Sequence, residues 1–360
     1  AAGADVDVRA ESLQLGGDFQ TAPTGTALED LAATLLLPPE LRPATQLHLV
    51  TERAVYAQDD ARTSIAIRDG AVVATHAGRS AAGAPAGGVL DMTALDRIRV
   101  DGRLAAPAGA VAITLSDGGA DVGFRNEGVW LGSGAALDVT GVDLSFVDEA
   151  GLRRGDILAG GSVTLDAARG AVVMAPGARI DVSGTRGELA VIDGAVGATP
   201  AVRLLPVATA AGRITVRASE TVLPYGEFVG RAGGAGAAGG TLEIALDLAQ
   251  RVGNETFAGV VADLFPEDAR ILTLGARPAW QDTWAAFGTA GFVQALRTSG
   301  IDAAGSIDTA LGVHGLALVA ADGVSAGGFD ALHLGARQGS AGLAAGGTGQ
   351  IFGRLPAEVR

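Results

Sequence analysis

Apolar and polar residues alternate with a period of two along much of the chain, and the alternation comes in short runs closed by glycine or proline. In "SVTL" (162–165), "RIDV" (179–182), "RITV" (213–216) and "TLEIAL" (241–246) it places Val163, Leu165, Ile180, Val182, Ile214, Val216, Leu242, Ile244 and Leu246 on one side. Thr164, Asp181, Thr215 and Glu243 fall on the other. A period of two is the signature of a half-buried strand, so these runs predict short strands with the aliphatic row facing inward.

The runs also repeat. "VWLGSGAALDVTG" (129–141) aligns without gaps on "VVMAPGARIDVSG" (172–184), 43 residues later. "AITL" (112–115), "SVTL" (162–165) and "RITV" (213–216) follow at offsets of 50 and 51. Read as two turns of about 21 to 26 residues each, this period predicts stacked coils of parallel strands, about 4.8 Å apart and about 13 to 17 in number. One coil cannot bury its inner face alone; stacking buries it and satisfies the backbone along the stack.

Two stretches break the pattern. Residues 26–45, "TALEDLAATLLLPPELRPAT", start with helix-compatible spacing and stop at Pro38 and Pro39, which predicts a short helix or an extended loop. Residues 253–299 hold Trp280, Trp284 and several phenylalanines. They read as an insertion leaning on coils built from 1–252 and 300–360, helical around 281–297, with "ILTLGA" (271–276) as a strand. In the alternative reading the segment forms coils of its own and "ILTLGA" is one rung.

Composition sharpens this picture. Half of the chain is hydrophobic but only 4% is aromatic, so the core has to be built from Val, Ile, Leu and Ala in many similar layers. The 55 glycines and 13 prolines stay below the fraction that signals low-complexity disorder. Without cysteine there is no disulfide, zinc-thiolate site or cysteine nucleophile. A net charge of −14, with arginine as the only strong base, repels phosphate backbones and anionic lipid. The N-terminal residues lack the basic start and apolar core of a signal peptide. The longest apolar run, 309–321, is too short to span a bilayer.

The phrases "IRVDGRLAAPAGAVAITLS" (98–116), "GGSVTLDAARGAVVMAPGARIDVSG" (160–184), "GEFVGRAGGAGAAGGTLEIAL" (226–246) and "GGFDALHLGA" (327–336) resemble the filamentous haemagglutinin family of large exoproteins. Gram-negative bacteria secrete these proteins by the two-partner pathway. The resemblance covers about half the chain and implies an internal fragment of such an exoprotein. It further implies a right-handed parallel β-helix, export through a two-partner outer-membrane transporter that meets a region outside this fragment, and a secreted or surface-exposed fibre that binds a host or bacterial receptor, including a glycan. The family's secretion domain has no counterpart here.

Several short motifs mimic catalytic ones. "GAGAAG" (234–239) satisfies the dinucleotide pattern, but the strictly alternating "TLEIALDL" that follows predicts a strand where a helix must begin, so the glycines read as a corner. Gly323-Val-Ser325-Ala-Gly327 fits a nucleophile elbow, yet only His333 follows as a histidine, and it sits between Leu332 and Leu334 on a strand facing solvent. The other histidines, His48, His76 and His314, are scattered and read as solvated strand positions. Carboxylates that could serve a β-helical carbohydrate-active enzyme are Asp59, Asp60, Asp138 and Asp181; the last two share one repeat position, which points to a ladder or turn role. Trp280, Asp282 and Trp284 form the one aromatic and acidic cluster, a candidate ligand patch or the glue of the insertion. The expectation is therefore a structural and adhesive fibre segment without catalysis, cofactor or metal. A β-helical carbohydrate-active enzyme and a phage tail-spike fibre are the alternatives.

Overall fold

The structure is a computed structural model. It describes residues 5–10, 12–15, 18–20, 41–51, 64–95, 97–115, 128–167, 170–193, 201–218, 221–247, 271–275 and 316–337. Most of the described chain is strand, and three parallel sheets carry it. The strands come in triplets, one for each of sheets A, B and C in turn. The first triplet is β1 (Asp5–Ala10), β2 (Ser12–Leu15) and β3 (Asp18–Gln20). The second is β4 (Gln46–Thr51), β5 (Ser64–Ile67) and β6 (Val72–Ala74), followed by the small hairpin β7 (Gly78–Arg79) and β8 (Pro85–Ala86). The third is β9 (Val89–Ala94), β10 (Arg97–Val100) and β11 (Arg103–Ala105).

In the fourth, β12 (Ala110–Leu115), β13 (Gly128–Leu131) and β14 (Ala136–Asp138) are followed by the hairpin β15 (Asp143–Val147) and β16 (Arg153–Ile157). In the fifth, β17 (Ser162–Ala167), β18 (Ala171–Met174) and β19 (Arg179–Asp181) are followed by the hairpin β20 (Arg186–Asp193) and β21 (Ala201–Ala208). The sixth is β22 (Arg213–Ala218), β23 (Thr221–Pro224) and β24 (Glu227–Val229). The chain then adds β25 (Gly240–Asp247), β26 (Ile271–Gly275), β27 (Leu316–Ala320), the helix α1 (Ala321–Ala326) and β28 (Phe329–Arg337).

The inward rows are the expected ones. Leu47, Leu90, Val111, Val163, Ile214 and Leu242 form one row across sheet A, and each is at most 1% exposed. Ile180, Val182, Val216, Ile244 and Leu246 are buried as predicted. Of the outward set, Thr164, Asp181 and Glu243 are half-buried, while Thr215 departs from expectation at 8% exposed because it lies between Thr164 and Glu243 of the flanking strands. Sheet B differs more. In β13, β18 and β23 every residue is buried, including the outward row Trp130, Val173 and Leu223. A parallel strand covered on both faces reads as a continuous apolar run, which is why "GVWL", "AVVM" and "TVLP" lack alternation.

The period is corrected by the register. Gly128 pairs with Ala171, so the 43-residue repeat advances the sheet by one strand, not by two turns. The bare circuit is 21 residues, as between Val89 and Ala110. The remainder of the longer period is a hairpin, as in 143–157. Among the described residues sheet A holds eight strands, against the 13 to 17 coils expected. The 50-residue offset is also two residues short, since Ala110 and not Ala112 stands opposite Ser162. A slip of two keeps every side chain on its face, so the inward assignment is unaffected by it.

Most of the predicted excursion at 26–45 lies outside the described residues, as do 253–270 and 276–299. The stretch 271–275 is a strand at the edge of sheet B, parallel to β27, and its Leu272 joins the core. That placement fits the reading in which "ILTLGA" is a rung.

Glycine sets the corner where four successive circuits, those of β9, β12, β17 and β22, enter sheet A. Gly88, Gly109, Gly161 and Gly212 are stacked: a Cβ on Gly109 would collide with the Gly88 carbonyl oxygen, on Gly161 with that of Gly109, and on Gly212 with that of Gly161. Those same carbonyls accept hydrogen bonds at 2.8–3.0 Å from the N–H of Ala110, Ser162 and Arg213 in the next circuit.

Candidate interaction surface

The three hairpins among the described residues all leave the stack at one corner, between a C strand and the next A strand. The repeated phrase D-V-(S/T)-G builds that corner twice. Asp138 and Asp181 are register partners and the last residues of β14 and β19 in sheet C. The Asp138 carboxylate accepts from the Thr140 N–H at 3.1 Å and its hydroxyl at 2.8 Å, and Asp181 accepts from the Ser183 N–H at 2.9 Å. Each turn is held further by an arginine, Arg103 on Asp138 and Arg179 on Asp181, both at 2.7 Å. Burial alone would raise the Asp181 pKa; the bonds from Ser183 and Arg179 outweigh it and hold the carboxyl below its ordinary range. The glycine that follows lets the hairpin stem pass close, since a Cβ on Gly141 would lie 2.5 Å from the Leu158 carbonyl oxygen. The shared acids are thus turn anchors, as their common repeat position suggested.

The hairpins stack on one another beside the sheets. Arg79 on the first meets Asp156 on the second at 2.9 Å. At the tip of the second, Asp148 accepts from the N–H of Ala150 and Leu152 and from Arg154, and Gly151 takes φ +76° to close the turn. Bonds from the Leu152 backbone and then Arg154 lower the Asp148 pKa. At the base of the third, the Thr209 hydroxyl accepts from the Thr185 N–H at 2.8 Å and lies 3.0 Å from the Thr185 carbonyl. A Cβ on Gly187 would sit 2.6 Å from Asp143 Oδ2 and 2.7 Å from Ile157 Cδ1, so the face of β20 carrying Gly187 and Leu189 is turned to the second hairpin.

Toward the tip of the third hairpin the opposite face is apolar and exposed. Ile192 pairs with Val202 and Ala190 with Leu204, and Ile192, Val202 and Leu204 are 54–55% exposed. The two charges nearest the tip, Asp193 and Arg203, pair at 2.9 Å and cancel. Exposed aliphatic side chains in this concentration mark contact surfaces on soluble proteins. The signal for the hairpin was present in the sequence: two apolar runs flank the small-residue stretch "GAVGATP" (194–200).

The expected chemical sites separate as follows. Trp280, Asp282, Trp284, Asp59, Asp60 and His314 lie outside the described residues. Ser325 belongs to the last turn of α1, and its hydroxyl donates to the Ala321 carbonyl at 2.9 Å. His333 is exposed, opposite Glu243. Asp330 accepts from the Gly239 N–H at 2.6 Å. The "GAGAAG" stretch is a turn with Gly236 at φ +82°, and β25 follows it. His48 stands on a strand, 3.1 Å from Asp91. His76 does not fit the solvated-strand expectation. It lies in the corner after β6, half-buried, with Thr45 Oγ1 2.6 Å from its Nδ1. Burial of the ring and then the Arg42 guanidinium lower its pKa, against an opposing bond to the Pro43 backbone. Among the described residues no group of three His, Asp or Glu side chains is placed to hold a metal ion, and no helix is long and apolar enough to cross a membrane. Comparison with protein-family models, curated proteins and solved structures finds no match to the chain.

Proposed function

We propose that the chain is a structural and adhesive fibre segment of a secreted or surface-exposed bacterial exoprotein of the filamentous haemagglutinin type, folded as a right-handed parallel β-helix and without catalysis. The observation that carries this reading is the cyclic A–B–C strand order, with hairpins leaving always at the same corner. Such a plan grows by repetition along one axis and offers a lateral row of hairpins to a partner. In this reading a two-partner transporter in the outer membrane exports the parent protein through a region outside this fragment. The third hairpin presents the exposed aliphatic side chains Ile192, Val202 and Leu204, which suits a receptor that is a protein surface with a complementary apolar patch. The stacked carboxylates Asp138 and Asp181, each bound to a backbone N–H and an arginine, support scaffold over acid–base chemistry.

The test is adhesion of the labelled full chain to bacterial and host cells, compared with Leu204→Glu and with Ile192→Arg. Retained binding by the wild type and at least tenfold weaker binding by both variants supports the reading. Equal binding by all three rejects the hairpin as the contact. Release of reducing sugars from polysaccharides by the wild type would favour the carbohydrate-active alternative.

A further inference from the structure

Among the described strands the chain order of sheet B is broken once. In the first six triplets each B strand follows its A strand and stacks on the B strand before it. After β25 the next described strand is β26, yet β27 lies against β23 and β26 lies beyond β27.

Connectivity explains the order. β27 ends at Ala320, α1 occupies Ala321–Ala326 and β28 starts at Phe329, so these three elements are joined without slack. The end of α1 is seated over β24: the Gly230 N–H donates to the Gly327 carbonyl at 2.8 Å, a Cβ on Gly327 would lie 2.6 Å from the Phe228 carbonyl oxygen, and Val324 and Phe228 share the core. β28 lies along β25. Both constraints are met together when β27 takes the edge of β23.

β26 is tied less closely in sequence, since 23 residues (248–270) separate it from β25 and 40 (276–315) from β27. Its inward Leu272 and Leu274 correspond to Ala317 and Val319 of β27, and both strands run parallel to β23. The β23–β27 seam is narrow, with Val222 and Ala317 as its one registered pair, against five pairs between β26 and β27.

We propose that β26 and β27 compete for the edge of β23. β26 occupies that edge first, and docking of 316–337 displaces it outward by one strand spacing, about 4.8 Å. An open strand edge is a template for any free strand. In the unfolded chain, reaching it from β25 means closing a sequence separation of 23 residues (248–270) for β26 and of 68 (248–315) for β27. Loop-closure entropy alone then favours β26 about fivefold at the outset. The final order comes only when α1 and β28 add their own contacts. The C-terminal tiers thus act as a latch that closes by strand displacement.

The chain contains no cysteine, so introduced pairs report without interference. Three double variants of the full chain are refolded from denaturant, pulsed with oxidant after increasing delays and mapped by peptide mass. They are Val222→Cys with Ala317→Cys, Val222→Cys with Leu272→Cys, and the control Val222→Cys with Ile65→Cys, four strands apart in sheet B. Neighbouring parallel strands allow a disulfide, whereas strands two positions apart exceed the roughly 7 Å Cα limit. The 222–272 disulfide is expected to form at early delays, several-fold above control, and to vanish at late delays as 222–317 replaces it. Should 222–272 never exceed the control, or 222–317 form at the earliest delay, the proposal is overturned. The outward pair Leu223→Cys with Thr273→Cys repeats the test if cysteines in the core prevent folding. Val324→Asp, which unseats α1, is expected to keep 222–272 oxidisable at late delays; a chain with native strand signal that still forms only 222–317 would contradict the displacement.

Discussion

The stacked sheets and the third hairpin are both made of aliphatic strands, yet they treat those side chains oppositely. In sheet A the inward row from Leu47 to Leu242 is at most 1% exposed, whereas Ile192, Val202 and Leu204 on the hairpin are 54–55% exposed. The interior strands of sheet A are bonded on both sides, and the corners entering β9, β12, β17 and β22 are fixed by glycine contact; β20 and β21 form a two-stranded ladder of their own. The difference teaches that strand propensity does not determine burial in this chain. At the two D-V-(S/T)-G corners position does, because β14 and β19 before them stack and the hairpin directly after each projects.

The comparison breaks most visibly inside the stack. Val182→Asp buries a charge with no partner at a fully buried position and is expected to cost several kcal/mol, at least about 3, in a denaturant titration. Gly161→Ala forces a Cβ against the Gly109 carbonyl and is expected to cost about 1–3 kcal/mol, read as a fall in melting temperature. Asp181→Ala removes one backbone bond and a half-exposed ion pair, for a loss of about 0.5–1.5 kcal/mol at neutral pH. Because the folded Asp181 pKa is depressed, its contribution is present above the ordinary carboxylate value and is lost as pH falls through the folded value, so wild type and variant should converge in acid.

How far this was legible in the sequence depends on distance along the chain. Parity within a strand is local, so the alternation alone places Val163, Leu165, Ile214 and Leu242 on the inward face. The repeat of Asp138 and Asp181 likewise marks a shared corner. The two-turn reading fails because a hairpin of about one circuit's length hides inside a 43-residue period, and "DLSFV" or "RRGDI" looks like any other strand while its partner is unknown. Partner choice is non-local. For the same reason the outboard place of β26 and the double burial of Trp130 cannot be read from spacing. His76 escapes a local reading because its burial comes from the Thr45 corner 31 residues away.

Smaller effects sharpen the contrast. His76→Gln should flatten the pH dependence of stability. The buried ring has a lowered pKa, so the unfolded chain binds the extra proton and wild-type stability falls as pH drops from about 6.5 through the folded value. Thr51 turns an unbonded hydroxyl into the core at 2% exposure, and Thr51→Val is expected to raise stability by about 1 kcal/mol. Leu204→Glu on the hairpin should leave thermal stability within about 0.5 kcal/mol while weakening adhesion.

The claim that the hairpins are appendages to a self-sufficient stack has one direct test. Thr185 and Thr209 already meet through a backbone hydrogen bond, the Thr209 N–H donating to the Thr185 carbonyl at 2.8 Å, so residues 186–208 can be replaced by an Asn-Gly turn without moving the stem. The account predicts an unchanged β-sheet signal in circular dichroism, a cooperative melt within a few degrees of wild type and loss of cell adhesion. A shortened chain that melts non-cooperatively or loses its sheet signal would contradict it, by showing that the lateral row holds the stack together.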